Sequence, residues 1–229
     1  MKGILFKPDM RQAIIELRKT QTRRLEASLA RVNEQPDLWE CQEAVRDVPP
    51  IVRKGDWLFN QKDEQWKCIR VRPRYSANET VYLKSGQWAT AEQYDSLAPK
   101  DIPEHAPIWY GYTLTDIPHT TYKARGRWRS PMFLRECHAR DFITFVSVIP
   151  QRLWDITQDD ALAESVTRNM ASQLGLSVPV SEEEFNLTAA RRTYEALWDS
   201  INAKRGHPWS KNEWVFSYTF KLVPRPETY

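Results

Sequence analysis

The sequence predicts an α+β chain, and three stretches carry that prediction. The first is Trp214, Phe216, Tyr218, Phe220 and Leu222 alternating with Val215, Ser217, Thr219 and Lys221, the period of a strand with one buried face. The second is Phe142-Ile143-Thr144-Phe145-Val146-Ser147-Val148-Ile149, dense in β-branched and aromatic residues and expected to be a central strand. The third is the helical spacing of Tyr194, Leu197, Trp198 and Ile201, stopped by Gly206.

From the N-terminus, Gly3 to Phe6 is a short apolar run, a first strand that passes through Pro8 into a helix. In that helix Asp9 is the expected N-cap, Gln12 completes a capping-box-like pair, and Met10, Ile14 and Leu17 share one face. Directly behind it stands Arg18-Lys19-Thr20-Gln21-Thr22-Arg23-Arg24, four cations and two hydroxyls in seven residues. Cations at a helix end complement its negative pole and leave donors for phosphate or carboxylate ligands. The plainer reading is a solvated basic turn.

Leu25 to Val32 has helical character, but Pro36, Pro49 and Pro50 make 25–50 a partly ordered excursion. A strand resumes at Gly55-Asp56-Trp57-Leu58-Phe59. Trp66 to Arg72 and Glu79 to Lys84 read as two strands at hairpin-like spacing. Residues 89–118, with Trp109, Tyr110 and Tyr112, form a long loop, and Thr120 to Ala124 a short strand. Thr157 and Asp160 predict a capped helix over Asp159 to Ser165, which puts Glu164 on its last turn. The polar stretch 166–184, ending in Glu182-Glu183-Glu184, reads as a loop, and Pro224 onward as a frayed tail. The expected organisation is one domain over 1–223, with insertions near 25–50, 89–118 and 166–184, and a tail over 224–229.

A chain of 229 residues can bury a substantial core. A net charge of +3 excludes a polycation that coats nucleic acid nonspecifically, so any nucleic-acid contact has to be local. Ten Trp serve either as core or as platforms for stacking bases. Three widely spaced cysteines argue against a disulfide framework and a zinc site, and fit a reducing, cytoplasmic setting. The four histidines lack ligand spacing and are expected at the surface; nothing calls for a metal or a cofactor. No apolar run has the length of a membrane helix, and the first residues do not form a signal peptide, so a soluble chain is expected.

Four blocks, in order, carry a resemblance. They are the opening Gly3-Ile4-Leu5-Phe6-Lys7-Pro8 with Arg18 to Arg24, then Asp159-Asp160-Ala161-Leu162-Ala163-Glu164, Leu197-Trp198-Asp199-Ser200-Ile201-Asn202, and Trp214 to Lys221. Together they resemble ASCH-domain proteins, many of them phage-encoded. The resemblance implies a PUA-like mixed β-barrel with flanking helices and long loop insertions, and RNA or a modified nucleoside as partner. It also implies a site: Lys19, Thr22 and Glu164 match the catalytic residues of a small bacterial member that hydrolyses the acetyl amide of N4-acetylcytidine. Arg18, Thr20, Arg23, Arg24 and Arg140 would bind substrate. The chain departs from the family at Leu17, where a glycine is usual, at Ser85, near which an acidic residue is usual, and over Leu134 to Ala139.

The chemistry is coherent. A threonine hydroxyl is a weak nucleophile until a base takes its proton, and a lysine serves as base if its pKa is pulled down. The neighbouring arginines disfavour a further cation and so act in that direction. Glu164 can orient Lys19, shuttle a proton or activate water. Three rival readings stand beside this one: an ion pair closing the barrel mouth, a non-catalytic RNA-binding module, and a metal-independent ribonuclease using the same cations.

Overall fold

The computed structural model describes residues 1–43, 55–63, 67–111 and 125–227. In chain order its strands are β1 (Gly3–Leu5), β2 (Gln21–Arg24), β3 (Trp39–Glu43), β4 (Trp57–Gln61), β5 (Cys68–Val71), β6 (Thr80–Lys84), β7 (Gln87–Thr90), β8 (Ile108–Gly111), β9 (Phe142–Arg152) and β10 (Trp214–Val223). The helices are α1 (Pro8–Ile15), α2 (Ala30–Asn33), α3 (Gln158–Ala163), α4 (Arg168–Gln173), α5 (Glu182–Thr188) and α6 (Ala190–Asn202). The chain is therefore mixed α+β. It forms two compact units, Met1–Leu17 with Thr80–Thr144 and Lys221–Tyr229, and Arg18–Glu79 with Phe145–Phe220.

In the first unit β1 runs parallel to β6, and β6 runs antiparallel to the first residues of β9 through pairs such as Val81 with Ile143. Gly3 is required in β1, because a side chain there would strike the Tyr82 ring. In α1, Pro8 sits in the first turn, where its missing N–H is no loss. The N-cap is Lys7 rather than Asp9, and the Gln12 side chain bonds Glu16 instead of closing a capping box. Arg11, Ala13 and Ile14 form the buried face, with Arg11 Nε 2.6 Å from Asp141.

Leu17, expected on that face, is 67% exposed, because α1 stops at Glu16 and Leu17 turns into the left-handed region at φ 59°. The ends of the expected loop over 89–118, among its described residues, pair as an antiparallel ladder of β7 with β8, Ala89 opposite Trp109, and no strand falls between them. Pro99, Pro103 and Pro107 fall between the strands, where no ladder N–H is needed. Trp88 is fully buried and donates its indole N–H to the Ser130 carbonyl at 2.9 Å. The expected strand over Thr120 to Ala124, and Tyr112, lie outside the described residues.

Two further expectations fail here. His138 is buried, its Nε2 2.9 Å from the Pro103 carbonyl oxygen. The tail is tied down at Arg225, which donates to the carbonyls of Cys137 and Ala139 and lies over the Phe142 ring.

In the second unit β3, β4 and β5 form an antiparallel sheet. β5 pairs with β4, and β6 with β1 and β9, so the expected hairpin between Trp66 and Lys84 does not form. β10 runs antiparallel to β2, with Tyr218 opposite Thr22. Every residue from Trp214 to Tyr218 is buried, where the alternation predicted one buried face. Helices cover the other: Val215 joins Leu153, Phe185, Tyr194 and Trp198 in one cluster, while Tyr218 meets Tyr75 and Phe145. Each such large side chain contributes about 1.5–3 kcal/mol by leaving water.

The stretch 166–184, expected as a loop, contains α4 and the start of α5. Thr167 and Ser181 accept N-terminal amides at 3.3 and 3.1 Å, and the three glutamates occupy the positive first turn of α5. A charge run that looked like a solvated loop is thus a helix start. Among the described residues the strands make open runs, β1-β6-β9, β9-β10-β2, β3-β4-β5 and β7-β8, and no closed barrel. No described helix is long and apolar enough to cross a membrane.

Candidate functional site

The site begins with how α3 starts and stops. Thr157 and Asp160 form a reciprocal capping box, each side chain accepting the other's amide at 3.0 and 3.1 Å. At the other end Glu164 is the C-cap and Ser165 takes a left-handed conformation at φ 67°. The Ser165 amide bonds the Leu162 carbonyl at 2.7 Å and the Val166 amide bonds that of Ala161 at 3.3 Å, the two bonds of a Schellman motif. Ala161 and Val166 are both buried, which supplies the motif's apolar contact.

This ending leaves carbonyls without helical partners. The segment entering β2 takes them up: the Thr20 amide donates to Ala163 at 2.9 Å, and Lys19 Nζ donates to the Glu164 carbonyl at 2.9 Å. The Thr20 carbonyl accepts the Phe220 amide at 2.8 Å, which fixes the segment from its other edge. Lys19 and Glu164 are thereby held as an isolated antiparallel bridge.

Side chains complete the centre. Lys19 Nζ is 2.6 Å from Glu164 Oε2, and the Arg23 amide donates to Oε1 at 2.5 Å. Arg23 Nη1 stands 3.5 Å from the same oxygen, and the Tyr194 hydroxyl donates to it at 3.5 Å. The Arg23 side chain is 0% exposed, so it holds Glu164 from within; it also pairs with Asp160 at 3.0 Å and bonds the side-chain oxygens of Gln21 and Gln151.

Burial pulls the Lys19 pKa down; Glu164 opposes this and Arg24 and Arg23 add to it. Burial, then the Glu164 charge, push the Tyr194 hydroxyl well up. For Asp160 burial acts upward but is outweighed by the Thr157 amide, Arg23 and Gln21, so its carboxyl lies below the usual value. A buried lysine whose charged form is disfavoured, touching a carboxylate, can give up and recover a proton.

The other expected site residues are placed as follows. Thr22 is buried one strand position from Arg23, on the alternate face of β2, and no hydrogen bond joins its hydroxyl to Lys19 or Glu164 among the described residues. Arg18 and Thr20 are exposed and Arg24 is half-buried. Arg140 belongs to the first unit, its guanidinium 4.9 Å above the Tyr110 ring. Sequence reasoning took Tyr194 only as helix core and did not find Gln151. A tyrosine on an apolar stripe was the one available signal, since a buried hydroxyl needs a partner. No family model, curated protein or solved structure matches the chain.

Proposed function

We propose that the chain is of the ASCH, PUA-like kind, that its Lys19–Glu164 centre recognises a modified nucleoside, and that it hydrolyses the amide of an N4-acylated cytidine. The observation that carries this reading is the meeting of two residues 145 positions apart, a buried lysine with a lowered pKa and the glutamate it bonds through both carboxylate and carbonyl. In this reading Thr22 is the nucleophile, which requires substrate entry to bring its hydroxyl, buried on the alternate face of β2, to Lys19. Lys19 leaves a proton on Glu164, and neutral Nζ takes the Thr22 proton as Oγ1 adds to the acyl carbon. The bond from acyl carbon to N4 then breaks and N4 takes the proton held by Glu164. Water gives a proton to Glu164 as its oxygen adds to the acyl carbon; the acyl group leaves as its acid and Glu164 returns the proton to Oγ1, which restores the hydroxyl.

The saturation of Glu164 by Lys19 and Arg23 favours a second reading, a recognition site without turnover. Chromatography of N4-acetylcytidine incubated with the protein separates the two. Cytidine forms with the parent chain and not with Lys19→Ala, Thr22→Ala or Glu164→Ala, each checked by circular dichroism to be folded. Absence of cytidine with the folded parent chain overturns the hydrolase and leaves the recognition site.

A further inference from the structure

From Cys68 to Tyr75 exposure alternates without a break: Cys68, Arg70, Arg72 and Arg74 are exposed, while Ile69 is half-buried and Val71, Pro73 and Tyr75 are buried. Arg70 lies in β5, Arg72 and Arg74 follow its end at Val71, and the chain bends at Arg74, so exposed guanidiniums recur at every second residue. β5 forms the edge of its sheet. Arg70 and Arg72 remain 49% and 47% exposed although both approach the fully buried Asp56, Arg72 at 2.6 Å.

The segment leads into a cleft of about 400 Å³ lined by Arg24, Glu26, Ser28, Arg72, Arg74 and Tyr75. Glu26 in that cleft is engaged by the protein, accepting the Tyr218 hydroxyl and the Arg74 amide. Glu79 is turned onto the Ser76 amide. The four guanidiniums outnumber the carboxylates of Glu26, Asp56 and Glu79. Arg24 reaches further: it is close enough to Lys19 to lower its pKa, and close enough to Glu164 to feel its charge.

We propose that Arg70, Arg72 and Arg74 form a track for the phosphate backbone of single-stranded RNA, which delivers one nucleotide at a time into the Arg24–Tyr75 cleft. Positive charge recurring at every second residue and leading into a cleft suits a polymer with one negative charge per repeat. A cleft of this volume takes a nucleotide and excludes a double helix. Arginine forks bind phosphate oxygens in pairs, which gives the track its grip without reading bases. The track rests on the nucleoside reading only for what the strand delivers; backbone binding needs no hydrolysis.

The test is fluorescence anisotropy of a labelled single-stranded RNA of mixed sequence, a dozen nucleotides long, titrated with the full chain at several salt concentrations. Arg70→Ala with Arg74→Ala spares Arg72, the nearer partner of the buried Asp56, and circular dichroism checks that the double variant is folded. The double variant is expected to bind at least tenfold more weakly, with a log–log salt slope shallower by about 1.4, the loss of two single-strand phosphate contacts. Lys204→Ala, exposed and outside both the track and the Lys19–Glu164 centre, is expected to bind as the parent does, and cytidine release from free N4-acetylcytidine is measured separately, which distinguishes failure of the track from failure of the hydrolase. The proposal is overturned if the parent chain does not bind, if the double variant binds equally, or if duplex RNA or polyglutamate competes as well as the single strand.

Discussion

Lys19 Nζ lies 2.6 Å from Glu164 Oε2 and 2.9 Å from the carbonyl oxygen of the same residue, so one ammonium both neutralises a buried carboxylate and caps the end of α3. The partnership is unequal. Glu164 also receives the amide and guanidinium of Arg23, whereas the bonds of Lys19 Nζ go to Glu164.

Glu164→Ala strands Lys19 and leaves Arg23 with Asp160, Gln21 and Gln151 alone; it is expected to cost about 3–5 kcal/mol, the range for breaking a buried pair from one side. Lys19→Met leaves Glu164 with Arg23 and is expected to cost less than half as much. Urea unfolding of the two variants checks the order, and equal losses would refute the asymmetry.

The same pair sets a pH dependence. Lys19 has a folded pKa below its unfolded value of 10.5, so the folded chain binds fewer protons there and stability rises with pH through that window, up to 10.5. Tyr194 and Tyr218, both pushed up by burial and then by their carboxylate neighbours, act in the opposite sense above their unfolded value of 10.0. The difference between parent and Lys19→Met in unfolding free energy isolates the lysine. It should grow in the parent's favour from pH 8 to 10; a flat difference would count against a lowered pKa.

Leu17 occupies the left-handed region with its side chain in solvent. That conformation costs a non-glycine residue about 1–2 kcal/mol, part of which a glycine gives back through its freer unfolded chain. Leu17→Gly is expected to stabilise by about 0.5–1 kcal/mol, seen as a higher urea midpoint with an unchanged slope.

Thr157→Ala removes the acceptor of the Asp160 amide and loosens the helix that carries Glu164. The expected loss is about 1 kcal/mol. Faster hydrogen exchange should appear in the α3 amides, and unchanged exchange there would show that the cap does not hold the helix.

Cys41 is half-buried and its thiol is pushed up to about 12 by burial, while Cys68 is exposed. Alkylation at pH 8, followed by peptide mass spectrometry, should therefore mark Cys68 well before Cys41.

The α3 capping box, the strand character of β9 and β10, and the helix ending at Gly206 could all be read from local spacing, because each is decided by neighbours within about four residues. The basic stretch after α1 could be found the same way, but not what its members do. Residue types alone cannot tell that Arg23 faces inward to Glu164 while Thr22 faces the other side of β2. Nor can a single alternating pattern foresee that both faces of β10 are covered, or that the strand following Pro73 belongs to another sheet.

The sequence by itself determined the α+β character, the capping box of α3 and the chemistry available at Lys19, Thr22 and Glu164, since these follow from short-range backbone and side-chain preferences. Only the tertiary structure decided that Lys19 meets Glu164 across 145 residues, that Arg23 is sealed beneath them and that Arg24 turns toward Tyr75. The physical reason is that burial and ion pairing are set by what packs from distant parts of the chain, through a Schellman turn whose carbonyls needed donors that α3 does not contain.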